Sequence, residues 1–202
     1  MKKVLKVSLL MSIMICISCM GEVSDKLKKA KNKVSNAGSI VENAKTMGER
    51  MGKLKEMEPT SNDDLKAWLP ENLDGMERTK FRVGGSGVAN VSSVEGTYKQ
   101  KGTKTSLNAR IMDGAGEAGS VLAMGFGMFG DMEMEMEDER KHQQTVEVDG
   151  IRAQQTYYKK NSRTNLMFVY EERFMVTIDA TDMDVDETWK MVEKLDLEGL
   201  VD

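Results

Sequence analysis

The chain has 202 residues, a formal net charge of −4, 18 methionines, one histidine and two cysteines. The acidic balance lacks the basic footprint that nucleic-acid binding needs, so no nucleic acid is expected as a partner. One histidine excludes a histidine-rich zinc site, and both cysteines fall within the first nineteen residues, which leaves the rest of the chain without a thiol or a disulfide.

Lys2, Lys3 and Lys6 form a positive start, followed by an apolar run from Val7 to Ile17. Spanning a bilayer needs roughly 20 apolar residues, so this run reads as an export signal rather than a stable membrane helix. Residues 1–18 are therefore expected to be a signal peptide. Cys16-Ile17-Ser18-Cys19 resembles the lipobox of bacterial lipoproteins. The resemblance implies removal of the signal, lipidation of Cys19 with diacylglycerol and palmitate-like acyl chains, and a lipid-anchored place in the bacterial cell envelope, at the outer membrane or facing the periplasm. Two acyl chains suffice for stable anchoring where one is marginal. Secretion with cleavage elsewhere and an uncleaved anchor stay open as alternatives.

Residues 19–58 read as a helical stalk or linker. Val23, Leu27, Ala30, Val34, Ala37, Val41, Ala44, Gly48 and Met51 recur at alternating four- and three-residue steps, a heptad seam. Alanine and glycine thin that seam. A spacer helix, a helix packed on the body or another protein, and a self-associating coiled coil are the three readings. Lys26, Lys28, Lys29, Lys31 and Lys33 give the stalk a basic side. It suits either anionic lipid headgroups or a solvated face. From residue 59 onward, 17 basic and 27 acidic residues leave a net of −10.

Residues 59–202 are expected to form a single α/β sandwich domain. Ser61 caps a short helix through Trp68, with Asp64 in the capping-box position, and Pro70 stops it. Strands follow at Met76 to Val83, Val91 to Gln100, and through Leu107, Ala109 and Ile111. Gly84-Gly85-Ser86-Gly87 is a hairpin connection, because it lacks the Lys-Ser/Thr pair and spacing of a phosphate loop. Ala115 to Met132 is nearly uncharged and predicts a largely buried helix against the sheet. Four more strands follow. Val146 and Val148 lead to the Asp149-Gly150 turn. Ile151 to Tyr157 comes next, then Leu166 to Tyr170 and Phe174 to Ile178. Asp184 and Glu187 make a capping box for a closing helix with Val185, Trp189, Val192 and Leu195 inward.

The fold class is thus α+β: a curved antiparallel sheet of about six or seven strands with helices packed on a face, preceded by a helical stalk. At the level of element order it resembles a PsbP/Mog1-type α/β sandwich, and that resemblance brings no catalytic residue to these positions.

Chemistry is sparse. Met132, Met134 and Met136 alternate with Glu133, Glu135 and Glu137. Thioethers suit Cu(I) and carboxylates suit Ca²⁺, which makes these six the candidate metal residues beside a plain solvated acidic edge. His142 sits in a polar string and supports no triad. Glu171 and Glu172 are expected on opposite sides of a strand, and Asp182, Asp184 and Asp186 read as a turn and helix start. No cofactor motif and no catalytic residue is assigned. The leading expectation is a non-enzymatic envelope lipoprotein that binds a protein or a small apolar ligand. The alternatives are a copper- or calcium-handling factor and a carboxylate-based hydrolase.

Overall fold

Ser61 opens the body by accepting a hydrogen bond from the Asp64 N–H, and helix α2 (Asn62–Trp68) follows. The computed structural model describes residues 45–84 and 90–201. The chain divides into two units, Met1–Gly48 and Glu49–Asp202. The leader, Cys19, the basic side of the stalk, its seam up to Ala44 and the residues Gly85–Gly87 lie outside the described residues. Residues 45–56 are helical and are termed α1.

Among the described residues nine antiparallel strands follow: β1 (Asn72–Leu73), β2 (Met76–Val83), β3 (Ser93–Lys99), β4 (Ser106–Asp113), β5 (Glu135–Glu137), β6 (Lys141–Val148), β7 (Ile151–Tyr158), β8 (Arg163–Tyr170) and β9 (Phe174–Thr181). Their order in the sheet is β1-β2-β3-β4-β9-β8-β7-β6-β5. Two meanders therefore meet where β4 pairs with β9, and helix α3 (Gly116–Asp131) connects them. The expected six or seven strands become nine because β1 and β5 are two and three residues long, too short to show a period of two. Strand β6 also starts earlier than the Val146 expected, since its Lys141–Gln144 half is polar yet fully paired with β7.

Side-chain alternation sorts the sheet into two faces. Leu107, Ala109, Ile111, Leu166, Phe168, Val176, Ile178 and Ala180 form the main core face. Against it pack Leu65 and Leu69 from α2, Trp189 and Val192 from helix α4 (Val185–Glu193), and Leu197 and Leu200 from a closing 3₁₀ turn (Leu197–Leu200). Phe168 stacks on Trp189 at 6.0 Å between ring centroids, and the indole N–H donates to Gln155 Oε1 at 3.0 Å. Asp184 and Glu187 form the reciprocal capping box.

Among the described residues the opposite face is covered only in part. Met175, with Met112 beside it, packs against Ala123, Leu122 and Phe126 of α3 and Leu54 of α1. Helices therefore pack on the sheet as expected, and they do so on both of its faces. That is why Phe174, Met175 and Val176 are buried in succession. The expectation that α3 is largely buried is corrected. Val121 is 57% exposed and Met128 54%, while Ala123 and Gly127 face inward. The helix buries one stripe and presents apolar residues outward on the other. No helix among the described residues is long and apolar enough to cross a membrane.

Glu171 and Glu172 are corrected too. They do not lie in a strand but in the tight β8–β9 turn, both with positive φ, and Glu172 accepts from Arg50 Nη2 at 2.8 Å.

Candidate ligand-binding cleft

Sequence alternation puts Met134 and Met136 on one side of the β5 segment and Glu135 and Glu137 on the other. Each glutamate meets a base. Glu133 lies 3.5 Å from Arg152, Glu135 lies 3.5 Å from His142, and Glu137 lies 2.7 Å from Lys159. The Glu135–His142 contact has ion-pair character only with the imidazole protonated, and it is too long and misdirected for a hydrogen bond. The run thus sets Glu133 and Glu137 against cations and Glu135 beside an imidazole, rather than forming a cage of free carboxylates. Among the described residues no three or more His, Cys, Asp or Glu side chains are placed to hold a metal ion.

The methionine side makes something different. The segment before β5 is tied to the sheet by Thr145, whose backbone N–H donates to Met134 O at 2.8 Å and whose hydroxyl donates to Met132 O at 2.7 Å. Gln154 Nε2 donates to the same Met132 carbonyl at 2.9 Å. These bonds satisfy the backbone of a strand-like segment that has no full partner strand. They also hold Met132 and Met134 opposite Met167 and Val169 of β8, with Phe126 of α3 alongside. Together with Phe168, Gln143 and Gln154 these residues line a cleft of about 430 Å³. Six of the eight are hydrophobic. The size lies in the range of small-molecule pockets, which are mostly apolar with a few placed polar groups. Met136, 44% exposed, stays outside the lining.

The sequence singled out Met132 and Met134 but for soft-metal chemistry. It did not single out Phe126, Gln143, Gln154 or Met167. One signal for Met167 and Val169 was present: β8 is apolar on both of its faces, which a strand needs only when both are covered.

A second concavity, of about 420 Å³, lies between the β6–β7 turn and α4. Asp149, Glu193, Asp196 and Glu198 border it with Tyr170 and Trp189. A two-carboxylate hydrolase needs one acid held protonated. Among the described residues, Glu95, Asp113, Glu137 and Asp138 are held below their ordinary range, and none of the four borders this concavity.

A family model described as Domain of unknown function (DUF4367) matches residues 68–195, which include all nine strands, α3 and α4. No curated protein and no solved structure matches the chain.

Proposed function

The chain belongs to the DUF4367 family of domains of unknown function, and we propose that it is a non-enzymatic envelope lipoprotein, tethered through Cys19, whose body binds a small apolar ligand in the cleft beside α3. The cleft carries this reading. It is open, of ligand size, and walled by Phe126, Met132, Met134, Met167 and Val169. Apolar walls left to water are unfavourable, and an apolar guest removes that cost. Methionines suit the task because their unbranched thioethers repack around guests of different outline. The helix α3 adds Val121 and Met128 to the apolar surface of the body. The lipobox-like Cys19 supplies the reason for the envelope and membrane assignment.

Titration of the full chain with an environment-sensitive apolar dye tests the reading. Saturable one-to-one binding is expected, displaced by simple alkyl compounds and weakened in Met167→Asp with the circular dichroism spectrum retained. Absence of saturable binding ends it. Fractionation of cells tests the tether separately: Cys19→Ala should move the protein from the membrane fraction to the soluble one.

A second reading, soft-metal handling, draws on one observation: Met132, Met134 and Met167 line the same cleft, and thioethers select Cu(I). Cu(I) titration with loss of binding in a triple Met→Leu variant would favour it, since leucine keeps the apolar wall and removes the sulfur.

A further inference from the structure

We infer that the guest of this cleft is a single-chain amphiphile with an anionic head, and that Lys141 receives the head; this rests on the cleft reading above. Strand register shows how the cleft ends. Met167 of β8 stands opposite Gln154 of β7, which stands opposite Thr145 of β6. Two residues further along the strands, on the same face, the row is Asn165, Thr156 and Gln143. Two further still it is Arg163, Tyr158 and Lys141. Along β8 the face therefore changes from Val169 and Met167 through Asn165 to Arg163. That is a passage from apolar to polar to cationic over about 20 Å at roughly 3.3 Å per residue.

The two cations of the last row are not equivalent. The Arg163 guanidinium is bound by Asp179 and lies 5.5 Å above the Tyr158 ring centroid. The Lys141 ammonium donates to Gln143 Oε1 at 3.2 Å, and Gln143 is itself part of the cleft wall. No described carboxylate stands within ion-pair distance of that ammonium; Asp138, its neighbour in the turn, is held by the backbone N–H groups of Arg140 and Lys141. At the other end of the cleft Arg152 is compensated by Glu133 at 3.5 Å and faces Glu147 in register. One end of the apolar cleft is thus paired at short range, while at the other the Lys141 charge meets the Asp138 carboxylate only beyond ion-pair distance, which leaves its direct hydrogen bonds open to an anion. A charge-assisted hydrogen bond from Lys141 to a carboxylate or phosphate fits that asymmetry.

The head chemistry is common to free fatty acids and to single-chain phosphate lipids, so both are probed. Calorimetry on the full chain would use dodecanoate, dodecyl phosphate, dodecanol and dodecyltrimethylammonium, each below its micelle concentration. At least one of the two anionic compounds should bind about tenfold more tightly than dodecanol, and the cation more weakly than dodecanol; tighter carboxylate or tighter phosphate then identifies the source. Lys141→Glu should remove the advantage of the anionic compounds over dodecanol. Lys101→Glu, which makes the same change of net charge in the distant β3–β4 turn, should leave the order intact. Equal affinity for all four heads, or an unaltered order in Lys141→Glu, overturns the head assignment and leaves the cleft reading standing. No binding of any twelve-carbon compound overturns both.

Discussion

Arg173 grips Asp113 through two nitrogens, Nε to Oδ1 at 2.8 Å and Nη2 to Oδ2 at 2.7 Å. The carboxylate is fully buried. It also accepts from the backbone N–H groups of Ala115 and Thr60, while Arg173 Nη2 reaches Glu58 O and Thr60 Oγ1. The pair therefore fastens three segments at one point: the residues around Pro59, the start of α3, and the β8–β9 turn. Removing one partner leaves a buried charge without compensation. Asp113→Asn should cost about 3–5 kcal/mol, measured by urea unfolding.

The same carboxylate makes stability depend on pH. Burial works to raise the Asp113 pKa, but the Arg173 hydrogen bonds, the Ala115 and Thr60 N–H groups and the Arg173 charge outweigh it, so the net displacement is downward. A lowered native pKa means that the unfolded chain binds the proton more readily. The contribution is fully present above the unfolded value, near 3.9, and is lost as pH falls through the native one. Wild type should lose this increment on acidification, and Asp113→Asn should show a flatter stability profile below about pH 4. Parallel profiles for the two proteins would contradict the assignment.

Tyr98 supplies the opposite test at high pH. It is fully buried and its hydroxyl donates to Pro70 O at 2.9 Å. Burial pushes its pKa up to about 12, against the pull of Arg78. The unfolded chain gives up this proton near pH 10, so stability is complete below that value and is lost as pH rises from 10 to 12. The loss should reach roughly 2–3 kcal/mol and be absent in Tyr98→Phe. Ultraviolet titration of the phenolates provides an independent reading, with Tyr98 the last of the four tyrosines to ionise and Tyr170, which burial and the charges of Glu171, Glu198 and Asp196 also push up, ahead of it.

The strands with clear alternation were legible because one buried face is enough to impose a period of two. Leu166, Phe168 and Tyr170, or Phe174, Val176 and Ile178, show it directly. The Asp149-Gly150 turn was equally legible, since both residues adopt positive φ there. Short edges were not. Asn72–Leu73 and Glu135–Glu137 contain less than two full periods. The outward side of α3 was misread because an uncharged helix looks buried all round, and nothing local in Val121 or Met128 says which side meets the sheet. The cleft was the least legible feature. Its wall joins Phe126, Met134, Gln154 and Met167, whose proximity is set by strand register rather than by spacing along the chain. Lys141 carried no signal of its own until the register put it on the Gln143 side of β6.

The Glu133–Glu135–Glu137 run predicts indifference to hard cations. Each carboxylate faces Arg152, His142 or Lys159, and Ca²⁺ sites instead need six to eight oxygens. Millimolar calcium or a chelator should leave the thermal midpoint unchanged. Because exposed pairs contribute little, Lys159→Ala should also leave it nearly unchanged. A midpoint that climbs with calcium would show that the run opens to take the ion.

The glycines of α3 give paired substitutions of opposite sign. At Gly119 an added Cβ would stand 2.7 Å from Asp113 O and 2.7 Å from Gly114 C, both rigid backbone. The helix start therefore sits against the end of β4 at a distance that only glycine permits. At Gly125 the added Cβ meets nothing within 4 Å. Gly119→Ala should destabilise by about 1–3 kcal/mol through forced backbone movement. Gly125→Ala should stabilise by up to about 1 kcal/mol, since alanine loses less backbone entropy on entering a helix. Denaturant midpoints of the two variants, moving to opposite sides of wild type, would establish which stripe of α3 rests on the sheet. Midpoints shifting in the same direction would mean that the helix lies on the sheet in another rotation, and Phe126 would then leave the cleft wall.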